Sequence, residues 1–111
     1  MPAPLNPAPL HILLALAAED LHGYGIMQEI DRQSQGTYKV GPGTLYDNLK
    51  KLMDQGFVVD APKKGKGGEE KRRLYHLSTD GRDALKAEIR RLEDVVAHAR
   101  PHLTARRPRK A

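Results

Sequence analysis

A mainly α fold with one small β-hairpin is what this sequence predicts, and three observations carry that expectation. Three segments with apolar residues at helical spacing fill its first half. Two short strand-like segments then flank a loop rich in glycine and lysine, the pattern of an extended hairpin. A final segment repeats apolar residues in alternating steps of four and three, the seam of a long helix that packs against another helix. At 111 residues the chain has material for one core.

The elements follow in order. Residues 1–9 carry Pro2, Pro4, Pro7 and Pro9 and predict an irregular, proline-rich N-terminal arm. Pro9 suits the first turn of a helix, with Asn6 as its cap. From Leu10 onward, Leu13, Leu14 and their neighbours leave almost no polar face. Such a helix is buried on most sides, and part of it is expected to meet a partner subunit. A second helix opens at Gly23-Tyr24-Gly25 and ends at Ser34-Gln35-Gly36. Tyr38-Lys39-Val40 reads as a minor strand, with Lys39 a candidate phosphate contact.

Gly41-Pro42-Gly43 breaks the chain and starts a third helix, expected over Pro42 to Gln55. Leu45, Leu49, Leu52 and Met53 mark its buried stripe, and Gly56 is its left-handed stop. Phe57-Val58-Val59 and Leu74-Tyr75-His76-Leu77 are the hairpin strands. Ser78 caps the last helix, and Asp80 complements its dipole. The seam runs Leu85, Ile89, Leu92, Val96, Ala99, Leu103, and Pro101 is expected to end or kink the helix near Arg100. Residues 104–111 form a basic, disordered tail.

Three helices followed by a hairpin are the winged helix-turn-helix arrangement. Residues 10–78 make that domain, and residues 79–103 add a C-terminal dimerisation helix. The seam could also pack within one chain, but a winged domain offers a terminal helix little other surface.

Charge narrows the function. The net charge is +5, of which the tail supplies +4, so the folded part is nearly neutral. Any polyanion contact must therefore come from local clusters. The loop over 63–73 is one, with Lys63, Lys64, Lys66, Lys71, Arg72 and Arg73 against Glu69 and Glu70. Such a loop reads either as a solvated turn or as a clamp on a phosphate backbone.

The third helix is the other candidate. Gly43 and Thr44 present free amides at its N-terminus. Tyr46 either packs beneath the second helix or faces outward, and Tyr24 reads as scaffold. Asn48 is the expected base reader, since its amide matches adenine N6 and N7. Lys50 and Lys51 either hold phosphates or are solvated.

Other classes find no support. The absence of cysteine removes disulfides and thiolate sites. His98 and His102 share a helical spacing, but Pro101 lies between them and no acid completes a shell, so no metal is expected. No phosphate-binding glycine loop, nucleophile elbow or acid–base pair suggests an enzyme or a cofactor. With no apolar run of about 20 residues and no signal-like N-terminus, a cytoplasmic, nucleoid-associated protein is expected.

The residues also resemble a family. Leu21-His22-Gly23-Tyr24-Gly25-Ile26, then Gly41-Pro42-Gly43-Thr44-Leu45-Tyr46 with Leu49, Leu52 and Gly56, then Arg72 to Ser78 with Gly81-Arg82, look like three ordered blocks of PadR-type transcriptional regulators. The likeness spans roughly residues 10–92, and the single last helix resembles that family's compact branch. It implies a homodimeric repressor of near-palindromic operator DNA, released by a small-molecule effector at the dimer interface. The third helix would enter the major groove, the wing would touch the flanking backbone, and the last helix would build the interface. Its implied interface residues are Leu10, Leu13, Leu14, Leu85, Ile89, Leu92, Val96 and Ala99. Multidrug-sensing relatives stack flat ligands on a tryptophan of that helix; this chain has none and offers Val95, Val96 and Ala99, so a flat aromatic pocket is not expected. The alternatives are a sequence-neutral architectural DNA binder and a winged-helix module for protein interaction.

Overall fold

The computed structural model describes residues 3–62 and 73–104. Its elements are α1 (Pro7–Leu16), β1 (Leu21–His22), α2 (Gly23–Gln33), α3 (Pro42–Asp54), β2 (Val58–Asp60), β3 (Leu74–Leu77) and α4 (Thr79–Thr104). The expected winged helix-turn-helix with a long terminal helix is the observed fold. No helix among the described residues is long and apolar enough to cross a membrane.

The core forms where one face of each element converges. Ile12, Leu13 and Leu16 of α1, Ile26 and Ile30 of α2, and Leu45, Leu49 and Leu52 of α3 are buried together. Val58 and Leu77 close it from the sheet, and Leu85 from α4. Each fully buried aliphatic side chain stabilises the domain by about 1.5–3 kcal/mol relative to exposure.

The sheet differs from the sequence reading in one strand. Residues 38–40 form no strand. Tyr38 instead stacks on His11, ring centroids 4.7 Å apart, and its amide donates to Ser34 Oγ at 3.0 Å. The third strand is β1, which pairs antiparallel with β3 through Leu21↔Tyr75 and His22↔Leu74. β3 is central, with β2 on its other edge in the register Val58↔Leu77, Val59↔His76, Asp60↔Tyr75. His22 Nδ1 also donates to the Arg73 carbonyl at 2.9 Å, holding β1 against the start of β3.

Two helix boundaries also differ. α1 begins at Pro7, so Pro7 and Pro9 belong to the helix and not to the arm. Amides of a first turn have no partner inside the helix, so prolines there forfeit nothing. Asn6 stands at the cap position, but its side chain makes no capping bond. At the other end α4 continues through Pro101 to Thr104. The bond that Pro101 cannot donate would go to Ala97, which is exposed, so water can satisfy that carbonyl.

Other signals appear where they were expected. Gly56 ends α3 at φ +80. Ser78 Oγ accepts the Gly81 amide at 3.0 Å and donates to the Gly56 carbonyl at 2.6 Å. It therefore caps α4 and ties that cap to the turn after α3. Ser78→Ala removes both bonds, with an expected cost of about 1–2 kcal/mol in chemical denaturation. A cost below about 0.5 kcal/mol would mean that water replaces the hydroxyl there.

Candidate nucleic-acid interface

α3 is a helix of two faces. Leu45, Leu49 and Leu52 point into the core, while Gly43, Thr44, Tyr46, Asp47, Lys50, Lys51 and Asp54 are exposed. The apolar spine fixes the helix against α1 and α2, so the opposite face is presented rigidly. Its N-terminus carries no side-chain cap, and a Cβ built at Gly43 meets nothing within 4 Å. The first amides of α3 are therefore open to an incoming anion.

The expected contacts are placed unevenly. Tyr46 is 48 % exposed, yet its ring lies across the start of α2: a Cβ on Gly23 would sit 2.1 Å from the Tyr46 hydroxyl. It thus packs on α2 and borders the outward face at once. Tyr24, read as scaffold, stands 66 % exposed in the first turn of α2. Asn48 is turned off the outward face. It is half-buried, lines a cleft with the N-terminal arm, and its Nδ2 donates to the Thr44 carbonyl at 2.8 Å. One of the two hydrogens on the amide nitrogen that adenine recognition would use is given to its own helix.

Each of the described basic candidates faces a carboxylate. Lys39 Nζ lies 3.2 Å from Asp31, Lys50 Nζ 3.8 Å from Asp54, and Lys51 Nζ 3.7 Å from Asp47. These pairs are solvated and worth little, so the lysines can leave them for a phosphate. Arg73 is held differently. It donates to Asp60 through Nε at 2.7 Å and a terminal nitrogen at 3.3 Å, and its guanidinium lies 5.4 Å from the Tyr75 ring centroid. Hydrogen bonding from Arg73 holds the Asp60 carboxyl below its ordinary pKa, and the same bond raises that of Arg73. Arg73 is a clamp between β2 and β3 before it is a phosphate contact. Lys63, Lys64, Lys66 and Arg72 lie outside the described residues, as does the tail from 105 onward.

The three helices, the three-stranded sheet and the outward helix match known proteins. A family model described as the transcriptional regulator PadR-like family matches residues 12–87. The chain belongs to the PadR-like family. Transcriptional regulator Rv3488 of Mycobacterium tuberculosis is 37% identical to it over 87 residues, spanning 78% of this chain and 77% of the relative. Transcriptional regulator YqjI of Escherichia coli is 26% identical over 87 residues, of which the aligned part is 41% of that protein. Among solved structures, a PadR family transcription regulator from Clostridium difficile superposes with a TM-score of 0.72 at 18% identity, covering 88% of this chain and 99% of that one. Bacillus subtilis PadR in complex with operator DNA superposes with a TM-score of 0.60 at 22% identity, covering 98% of this chain and 53% of that one. At these identities the structures share the fold.

In this PadR-like protein the terminal helix divides in two. Leu85 is buried in the protomer's own core and Ile89 packs against it. Leu13 is likewise fully buried within the protomer. Leu13 and Leu85 therefore serve mainly the protomer's own core, and Ile89 serves it in part. Beyond Leu92 the helix projects, with Val95 50%, Val96 47% and Leu103 79% exposed. Leu10, Leu14, Leu92 and Ala99 are half-buried, with surface still free.

A cleft of about 870 Å³ lies where the arm, α3 and α4 meet. Pro4, Leu5, Leu52, Phe57, Ala87 and Glu88 are among its walls. Glu88 is buried, 4% exposed, and Arg91 donates to both of its oxygens at 2.7 and 3.0 Å. Those bonds, with one from the Leu5 amide, hold the Glu88 carboxyl below the usual carboxylate range. The pair pins the arm to α4. Sequence reasoning missed this cleft, and it missed Asp47 and Asp54 on the outward face. The four-residue spacing of Asp47–Lys51 and Lys50–Asp54 was the available signal.

Proposed function

We propose that this PadR-like regulator is a cytoplasmic, nucleoid-associated homodimer that represses transcription by binding a near-palindromic operator, with no catalytic activity. The observation that carries the reading is the outward face of α3, an uncapped helix N-terminus followed by exposed polar and basic side chains on a rigid apolar spine. At 13 residues α3 is about 20 Å long and fits a major groove roughly 12 Å wide. The fold shared with Bacillus subtilis PadR, a protein solved with operator DNA, supports the same docking. Gly43 and Thr44 meet a phosphate through their amides. Lys50, Lys51 and Lys39 swing from their carboxylates to the backbone, and the wing lysines Lys63, Lys64 and Lys66 with Arg72 follow the flanking duplex.

Two copies associate through the projecting part of α4, with Leu10 and Leu14 of α1 contributing. The pair of α3 helices then spans successive major grooves about 34–36 Å apart. A small apolar effector fits the cleft between arm, α3 and α4, where it touches the reading helix and the dimer helix together. Its differential affinity for the two dimer geometries loosens DNA.

The test is binding to DNA upstream of the protein's own gene, titrated against salt and competed with random duplex. A two-fold symmetric footprint that survives competition is expected. Equal binding to both duplexes would point to an architectural protein, and none at low salt to a protein-docking module. Within that assay, Lys50→Ala should lower affinity evenly across sequences and reduce the salt slope by about 1. Arg73→Ala should leave the slope within half of that, because its guanidinium is already satisfied by Asp60. Equal loss from both variants would mean that Arg73 leaves its clamp on binding.

A further inference from the structure

We infer that Asp47 reads a cytosine, and that it is a specificity-determining residue of the α3 interface; the inference rests on the DNA-binding reading above. Asp47 stands in the middle of the outward face, with its side chain 67% exposed. Leu45, Leu49 and Leu52 on the opposite side keep that face turned to solvent. Asn48, the neighbouring amide, is directed to the arm side and bonded to Thr44. Of the groups able to read a base from the first half of α3, the carboxylate is the one set centrally and, among the described residues, held by nothing but a long, solvated ion pair, 3.7 Å from Lys51.

The chemistry then selects the base. In a groove lined by phosphates a carboxylate is repelled, and an ionised carboxylate only accepts hydrogen bonds. When Lys51 moves to a phosphate, Asp47 loses its counter-charge and needs a donor. The major-groove edge of cytosine offers the N4 amino group as its polar atom. Adenine sets its N6 donor beside the N7 acceptor, guanine shows two acceptors, and thymine shows an acceptor and a methyl group. Cytosine is the base whose edge answers a lone carboxylate. Asp54 lies two turns further along, near the C-terminal end of α3 and paired with Lys50, where a docked reading helix has moved away from the base edges. The same charge that reads cytosine penalises every other sequence, so Asp47 raises discrimination at the expense of general affinity.

The experiment selects binding duplexes from a randomised pool with the wild-type protein, Asp47→Ala and Asp47→Asn. Wild type should recover a motif with one cytosine per half-site whose replacement weakens binding roughly 5- to 150-fold. Asp47→Ala should lose that preference while its affinity for random duplex rises at low salt, a gain that added salt removes. Asp47→Asn should accept adenine at the same position. A duplex with N4-methylcytosine there should bind wild type poorly and Asp47→Ala as well as the unmodified duplex. A wild-type motif that Asp47→Ala reproduces unchanged overturns the inference alone. A flat selection from wild type overturns the DNA-reading function and the inference with it. Asp47 is exposed, so the variants should fold as wild type does, and their circular dichroism checks this.

Discussion

Val96→Glu should yield a folded monomer that holds operator DNA about 10²- to 10⁴-fold less tightly than the wild-type dimer. Val96 lies on the part of α4 that projects from the body, at 47% exposure, so a glutamate there leaves the protomer's core intact. In a dimer seam the same carboxylate meets its symmetry mate and loses its water, and both effects oppose association. Once the second half-site is no longer bound intramolecularly, the gain from effective concentration disappears. Sedimentation velocity reads the assembly, and operator titration reads the affinity. Ala97→Glu, one position off the seam, should leave both unchanged. A Val96→Glu protein that still sediments as wild type would show that the seam is not the interface. Ile89, which the periodicity singles out equally, is a poorer probe because it packs against the protomer's own core.

Gly81→Ala should cost about 3 kcal/mol of stability and lower the melting temperature on the order of 10 °C. Gly81 sits in the first turn of α4, against Phe57 in the turn after α3 and Leu77 of β3. A Cβ there would lie 2.1 Å from the Phe57 carbonyl oxygen, 2.9 Å from its carbon and 2.7 Å from Leu77 Cδ1. Two of these three are backbone atoms, held by the Ser78 amide bond to that same carbonyl at 3.1 Å. Relief requires α4 to back away from the sheet, which breaks the Ser78 cap. The gain in helix propensity from alanine, roughly 1 kcal/mol, does not offset this. Gly43→Ala supplies the comparison, because its Cβ meets open space and should be neutral or slightly stabilising. If thermal melts of Gly81→Ala match wild type, the helix and strand have room that the geometry denies.

The sequence and the structure agree where the information is local. The boundaries of α2 and α3, the left-handed stop at Gly56 and the Ser78 cap each depend on a few neighbouring residues. So does the buried stripe of Leu45, Leu49 and Leu52, since a helical period places them on one face whatever surrounds it. They part where a distant residue decides. Tyr38-Lys39-Val40 alternates like a strand, but β3 finds its edge partner in Leu21-His22. Asn48 has the right chemistry for a base and stands on the right helix. The arm and α4 lie on its side of α3, and its amide bonds backward to Thr44.

By itself, then, the sequence determined the order of helices and strands, the core-facing residues of α3 and the family blocks that name the fold. Caps, periods and turn residues act within a turn or two of chain, so one sequence suffices to read them. Only the tertiary structure decided which α4 positions serve the protomer's core and which project beyond it. It alone laid Tyr46 across Gly23, brought Gly81 under Phe57 and left Asp47 in the middle of the outward face. Those outcomes depend on how elements far apart in sequence pack, and packing is set by all of their side chains together.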